Sequence, residues 1–79
     1  MPDVRFTPRE AEVMTWAALG KTNWEISQIL AISETTVKFH IEHCYEKLGV
    51  NSRTYAAVLA VTNDLIHLPS QKEHKKKRA

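Results

Sequence analysis

The sequence predicts an all-α fold of four helices joined by short turns, and two observations favour this class. Glycine and proline are scarce, with two and three copies in 79 residues, and no long alternating run of β-branched residues suggests a strand. In addition, a hydroxyl residue stands before each of four helical patterns, where its oxygen can accept from a free helix amide. These four residues are Thr7, Thr22, Ser33 and Ser52.

The first helix is predicted over residues 8–19. Thr7 and Glu10 have capping-box spacing, in which each side chain accepts a hydrogen bond from the other residue's amide. Pro8 occupies the first helical position, where no amide hydrogen is needed. Gly20 suits the left-handed residue that ends a helix.

The second and third helices are predicted over residues 23–30 and 34–48. Thr22 begins a second capping box, and Gly49 ends the third helix. Only a short turn separates the two helices. We expect their facing apolar side chains to be buried, namely Ile26, Ile29, Leu30, Ile32, Val37 and Ile41.

The fourth helix is predicted over residues 53–63. Its apolar run from Ala56 to Val61 is wider than one buried face requires, unless the run is merely rich in alanine. We expect one face, with Ala57 and Val61, to lie in the core and the other to contact a second copy of the chain. The second face comprises Tyr55, Val58, Leu59 and Thr62.

Size and composition exclude several classes of protein. Seventy-nine residues form one small domain, predicted over residues 1–66, with little room for an enzyme active site, so we expect neither catalysis nor a cofactor. The longest apolar run is far shorter than the roughly 20 residues of a membrane span, and no signal peptide is visible. The single cysteine, Cys44, cannot form an internal disulfide, which favours the cytoplasm.

The positive charge is concentrated at the end of the chain. The formal net charge is +2, but residues 70–79 carry +4 and residues 1–69 carry −2. Residues 67–79 are predicted to be a disordered basic tail that either attracts phosphates or only keeps the protein soluble. The case for nucleic-acid binding therefore depends on motif and geometry.

Residues 22–41 have helix-turn-helix spacing, in which a first helix braces a second that enters the DNA major groove. Four motifs lie within or beside this segment: TPRE at 7–10, ISETTVKFH at 32–40, KLGV at 47–50 and NSRT at 51–54. Over about residues 6–66 the chain resembles the LuxR-type helix-turn-helix domain. The segments WA, GK and WEIS are most similar to its quorum-sensing branch, which joins an acyl-homoserine-lactone-binding domain to this module. The resemblance thus implies a stand-alone member, as the spore-coat regulator type is, or an excised domain.

The resemblance implies a transcription regulator that binds double-stranded DNA as a homodimer through its fourth helix. Matching positions imply base contacts by Lys38, Phe39, Glu42 and His43. They imply phosphate contacts by Thr22, Asn23, Thr35, Thr36, Lys47 and Arg53. The chemistry is suitable, because lysine donates to guanine, a phenyl ring packs on a thymine methyl, and hydroxyls suit phosphate oxygens.

Two positions depart from the family pattern. Glu42 stands where the family often has a basic or amide residue; a carboxylate repels phosphate but accepts from cytosine N4. Ala31 replaces a frequent turn glycine, and a positive φ there would cost about 1 kcal/mol.

Other interpretations remain open for particular residues and for the whole domain. We expect Trp16 and Trp24 to pack between helices rather than line a ligand pocket, and no metal at His40, His43 and Cys44, which lack a fourth ligand. The domain could instead be a DNA-binding-deficient partner that pairs with and inhibits a full-length LuxR-type regulator. A third possibility is a region associated with RNA polymerase, similar to a sigma factor, although TPRE, KLGV and the fourth helix favour the LuxR type.

Overall fold

The structure, a computed structural model, describes residues 4–69 and confirms the all-α prediction. The helices are α1 (Pro8–Ala18), α2 (Asn23–Leu30), α3 (Glu34–Leu48) and α4 (Arg53–Thr62). The predicted first and fourth helices were each one residue too long, because their last residues serve as caps outside helical geometry. Within the described part of the chain, every helix is too short or too polar to span a bilayer.

Hydroxyl caps begin all four helices, as predicted. Thr7 Oγ1 accepts from the Glu10 amide at 3.1 Å, and Glu10 Oε1 accepts from the Thr7 amide at 2.9 Å. Thr22 forms the same reciprocal capping box at the start of α2. The side chains of Ser33 and Ser52 cap α3 and α4. Each helix start is thus fixed by contacts that span only three residues.

The core lies between α1, α3 and α4, and α2 packs on α3. The described residues bury one continuous apolar cluster, formed by Val13, Met14, Ala17, Ile26, Val37, Ile41, Cys44, Leu48, Ala56, Ala60 and Ile66. The cluster continues beyond α4, because Leu68 also packs against it although it falls within the predicted tail. Residues 70–79 of that predicted tail lie outside the described residues.

The side of α2 that faces the core differs from the prediction. Ile29 was expected to be buried but is 44% exposed, and Trp24, expected to pack between helices, is 58% exposed. Both expectations were wrong, because α2 directs Ile26 and the small Ser27 into the core and so turns its other apolar side chains outwards. Trp16, in contrast, packs against the core as expected.

The turn between α2 and α3 depends on a left-handed alanine. Ala31 has φ 57° and ψ 45°, and its amide donates to the Ser27 carbonyl, which ends α2. Gly49 ends α3 in the same region with φ 71°. A side chain at φ above zero crowds its own backbone, so the alanine carries a strain that the glycine avoids.

A buried carboxylate joins the start of α1 to the second half of α3. Glu10 is only 4% exposed, and its Oε1 accepts from Lys47 Nζ at 2.6 Å. Lys47 Nζ also donates to the Arg5 carbonyl at 2.9 Å. Burial alone would raise the pKa of the Glu10 carboxyl, but hydrogen bonds from Lys47 and Thr7 and nearby positive charge lower that pKa below its ordinary value.

We predict that the two helix ends respond oppositely to exchange of alanine and glycine. Ala31→Gly should raise the free energy of unfolding by about 0.5–1 kcal/mol, because the backbone strain is relieved. Gly49→Ala should lower it by about 1 kcal/mol through backbone strain alone, since an added Cβ meets no atom within 4 Å. Urea unfolding followed by circular dichroism measures both changes. A destabilised Ala31→Gly protein would contradict the strain at this turn.

We also predict a specific acid dependence. Glu10→Gln should lower the free energy of unfolding at pH 7 by about 1–3 kcal/mol, because charge-assisted hydrogen bonds are lost. Since folding lowers the pKa of Glu10, its contribution is present above the unfolded pKa of about 4.3 and is lost as the pH falls through the folded value. The variant should therefore lose less stability than the wild type during acidification.

Glu12→Gln is the matched control for this prediction. Glu12 also lies on α1, but it is exposed, and its ion-pair partner among the described residues is Arg9 at 3.3 Å. An exposed pair of this kind contributes little, so the control should keep the wild-type acid profile. Urea unfolding at stepwise lower pH compares the three proteins. Parallel profiles for wild type and Glu10→Gln would show that the buried carboxylate does not cause the acid dependence.

Candidate nucleic-acid interface

The α2–turn–α3 unit presents one helix face to solvent and supports it from behind. Val37, Ile41, Cys44 and Leu48 of α3 are buried in the core. Ile26 of α2 and the half-buried turn residue Ile32 pack against the same cluster. The opposite face of α3 is therefore fixed in orientation and remains free to contact a ligand.

The predicted base-contacting residues occupy this outward face to different degrees. Lys38, Phe39 and Glu42 are exposed, and Phe39, with 54% of its surface exposed, is one of the large apolar side chains in solvent. His43 is only half-exposed, because it lies at the edge of α3 next to α1. Three predicted residues thus share an accessible surface, and the fourth sits beside it.

Two histidine rings contact the side chain of Phe39. The Phe39 and His43 ring centroids are 4.2 Å apart with the planes tilted by 48°. The His40 ring lies 5.9 Å away in an edge-on arrangement. His43 Nδ1 also lies 3.5 Å from Glu10 Oε2, so the ring contacts both the outward face and the buried carboxylate.

The predicted phosphate-contacting hydroxyls lie at two helix starts. The Thr22 hydroxyl caps α2, and the Thr36 hydroxyl lies 2.9 Å from Ser33 Oγ at the start of α3, while Thr35 is exposed. The first amides of a helix have no partner within the helix and carry partial positive charge. Both helix starts therefore combine hydroxyls with amides that suit an anion.

Two basic residues assigned to phosphate contacts are held by the protein itself. Lys47 Nζ is bound to Glu10 and to the Arg5 carbonyl. Arg53 donates through Nη2 to Asn23 Oδ1 at 2.5 Å and lies 3.4 Å from the Lys21 carbonyl. These contacts join α3 to α1 and α4 to the start of α2, so both side chains have a structural role that sequence analysis did not identify. Glu10 was recognised only as a cap, because Lys47 is 37 residues away in the sequence.

The predicted partner face of α4 is only partly exposed. Tyr55 and Val58 are 56% and 51% exposed, and Thr62 is also in solvent. Leu59 differs, because it is half-buried and packs against the core. The expected core face was only partly correct: Ala56 and Ala60 are the fully buried residues, Val61 is half-buried and packs against the core, and Ala57 is half-buried without belonging to that cluster.

Ala57 and Val61 also line a groove of about 560 Å³ between the end of α1 and α4. Val58 and Leu68 lie along the same groove. Since Val58 belongs to both surfaces, the exposed face of α4 is continuous with the groove. The groove is lined mainly by apolar side chains.

The candidate metal ligands do not converge. Cys44 is completely buried, and its Sγ lies 3.8 Å from the Glu10 carbonyl, whereas His43 lies at the protein surface. Burial and the Glu10 charge raise the pKa of the Cys44 thiol to about 12. A metal ligand must be the thiolate, so this environment disfavours coordination by Cys44.

Residues 4–60 match the family described as "Bacterial regulatory proteins, luxR family". The chain is 55% identical over 64 residues to the HTH-type quorum sensing-dependent transcriptional regulator RpaR of Rhodopseudomonas palustris, which covers 81% of this chain and 26% of that protein. It is 51% identical over 61 residues to the transcriptional activator protein EsaR of Pantoea stewartii, and the match covers 77% of this chain and 24% of that protein. It is 42% identical over 65 residues to the regulatory protein SdiA of Escherichia coli, and the match covers 82% of this chain and 27% of that protein.

The chain therefore spans about a quarter of the length of these curated relatives. The family match covers more than half of the chain and includes all of α1, α2 and α3. From the helix-turn-helix geometry and this match, we conclude that the chain belongs to the luxR family of bacterial regulatory proteins and forms its four-helix domain.

Proposed function

We propose that this domain binds double-stranded DNA at specific sequences and regulates transcription, with α3 in the major groove. The observation that supports this most directly is the exposed group of Lys38, Phe39 and Glu42 on the outward face of a helix that the core and α2 hold in place. An α-helix fits the width of the major groove, where each base pair has a distinct pattern of donors and acceptors.

Each exposed side chain on this face suits a different base edge. The Lys38 ammonium donates to O6 and N7 of guanine. The Phe39 ring packs on the methyl group of thymine, and the Glu42 carboxylate accepts from N4 of cytosine. His43 is also proposed to act at this face, where its ring borders Phe39.

The starts of α2 and α3 are proposed to bind phosphates on either side of the groove. Free amides and the hydroxyls of Thr22, Thr35 and Thr36 supply donors there. Among residues 4–69, the Asn23 side chain is bonded through Oδ1, which accepts from Arg53, and its amide nitrogen has no partner. Arg53 is proposed to contribute mainly positive potential, because it donates to neutral oxygens that leave its charge uncompensated. Lys47 is proposed to contribute less, because its charge is paired with the Glu10 carboxylate.

The domain is further proposed to act in the cytoplasm as a homodimer on a two-fold-related DNA site. Tyr55, Val58 and Thr62 supply the exposed part of the interface on α4, and half-buried Leu59 supports it from its edge. Apolar surface of this kind is a common feature of protein contacts. RNA polymerase is the further partner proposed for a transcription regulator.

A second candidate function is inhibition of a full-length LuxR-type regulator by heterodimer formation. The charge of the described domain favours it: six basic and seven acidic residues occupy positions 4–69, and two of the basic residues are bound internally. Selection of DNA ligands from a random pool with the purified chain separates the two functions. An enriched inverted repeat supports the regulator, and no enrichment supports the inhibitor.

We predict that Lys38 distinguishes specific from random DNA. Lys38→Ala should weaken binding to the selected site by about 1–3 kcal/mol and binding to random DNA by much less, because the lost hydrogen bonds are to base edges. Fluorescence anisotropy on the two DNA duplexes at one salt concentration measures both changes. Equal losses of affinity on both duplexes would instead show that Lys38 contacts a phosphate.

Arg9→Ala is the matched control, because it removes one positive charge from α1, where Arg9 pairs with Glu12. It should change binding to the two duplexes by similar small amounts, since long-range attraction is independent of sequence. A loss of specificity in this control would show that net charge, and not the position of Lys38, sets the discrimination.

We also predict that Val58 and Leu59 respond differently to a negative charge. Val58→Asp should leave the domain folded and its affinity for a single half-site unchanged, but it should weaken binding to a two-half-site duplex, because the charge lies in the proposed interface. Leu59→Asp should also reduce stability, since Leu59 packs against the core.

Half-site and full-site titrations, with circular dichroism as the measure of folding, test this pair. If Val58→Asp binds the two-half-site duplex as tightly as the wild type, the exposed face of α4 is not part of the dimer interface. A fully stable Leu59→Asp protein would show that its core contact contributes little.

A further inference from the structure

Three residues of α3 form a line along the edge that faces α1. Phe39, His43 and Lys47 follow one another at intervals of four residues, so their side chains are neighbours on one side of the helix. At one end Lys47 binds the buried Glu10, and at the other end Phe39 is exposed. His43 lies between them and contacts both Phe39 and Glu10.

The two oxygens of Glu10 have different partners. Oε1 accepts from the Thr7 amide at 2.9 Å and from Lys47 Nζ at 2.6 Å. Oε2 lies 3.5 Å from His43 Nδ1. Since Glu10 itself is fixed by its cap and by Lys47, the imidazole has an immobile anion beside one nitrogen, which restricts the ring.

The imidazole of His43 is the nearer of two aromatic rings that contact Phe39 in the described structure. Phe39 is 54% exposed, and its ring contacts are His43 at 4.2 Å and, farther away, His40 at 5.9 Å. An exposed aromatic side chain changes rotamer readily, and ordering it on a ligand costs entropy. A ring that is already stacked in place avoids part of that cost.

We propose that His43 is a positioning residue, which holds the Phe39 ring in the orientation that reads DNA and is itself held by the buried Glu10. The proposal rests on the proposed DNA-binding function. It assigns His43 a role through Phe39, so His43 need not contact a base itself. It also extends the supporting structure of the base-reading face into α1, across a sequence separation of 33 residues.

A double-mutant cycle on DNA tests whether His43 acts through Phe39. The base pair that Phe39 reads is the one at which Phe39→Ala loses discrimination between the preferred and a substituted base. At that base pair, His43→Ala should reduce discrimination about two- to tenfold, the range expected for one aromatic pair. In the Phe39→Ala background the same change should have almost no further effect. Additive losses would overturn the proposal and assign His43 an independent contact.

Two further variants serve as controls. His43→Phe keeps an aromatic ring beside Phe39 without the nitrogen near Glu10, and it should recover a part of the discrimination lost in His43→Ala. His40→Ala removes the more distant ring and should leave discrimination within about twofold of the wild type, since among the described residues the carboxylate of Glu10 contacts the ring of His43 and not that of His40. Equal losses in His40→Ala and His43→Ala would contradict a specific role of His43.

Measurements on the free protein test the positioning without DNA. Three-bond couplings from the backbone to Cγ report the χ1 rotamer of Phe39 by nuclear magnetic resonance. They should indicate one rotamer in the wild type and averaging in His43→Ala, with urea midpoints confirming that both proteins are folded. Identical couplings in the two proteins, whether fixed or averaged, would overturn the proposal.

The two experiments separate the positioning role from DNA binding. If the wild type selects no DNA sequence, the proposed function fails, while the couplings still decide whether His43 orders Phe39. If the wild type is selective but the DNA cycle is additive, DNA binding stands and the role of His43 through Phe39 is rejected.

Discussion

The buried carboxylate of Glu10 is the contact on which the orientation of α3 depends. It accepts from the Thr7 amide and from Lys47, and it lies next to His43. A carboxylate buried without partners would cost several kcal/mol, so the start of α1 and the second half of α3 must keep their relative position. The cap of one helix thereby becomes a fixed point for another, and the outward face of α3 is oriented by a helix that does not belong to the helix-turn-helix motif.

A second polar contact gives α2 an equivalent support. Arg53, the first residue of α4, donates to Asn23, the first residue of α2. The apolar core holds these helices together without fixing direction strongly, because burial is not directional. Hydrogen bonds between helix starts add that directional restraint. Lys47 and Arg53, which make these two supporting contacts, are both basic, and the family resemblance implies that both contact phosphates. A resemblance between sequences therefore does not by itself distinguish a cation that binds within the protein from one that contacts DNA.

The accuracy of the sequence predictions follows the distance over which each interaction acts. The four helix starts were predicted correctly because a cap joins residues only three apart. The exposure of Ile29 was not predicted, because helical periodicity shows only which side of a helix is apolar. Which of the apolar residues on that side become buried depends on how the neighbouring helix packs. On α4, the small Ala56 and Ala60 face the core and larger side chains lie outside. The Glu10–Lys47 pair, 37 residues apart, leaves no local pattern in the sequence.

The distribution of charge has a consequence for how the proposed regulator would find its site. Contacts with phosphates supply the affinity that all DNA sequences share. Here residues 4–69 carry a slight excess of acidic groups, and Lys47 and Arg53 are bound within the protein. The shared affinity from this part of the chain is therefore small, so discrimination by the proposed regulator would depend largely on Lys38, Phe39 and Glu42. A side chain that reads a base contributes most when its orientation is set before binding. The proposed support of the Phe39 ring by His43 and Glu10 would meet that requirement on the exposed face of α3.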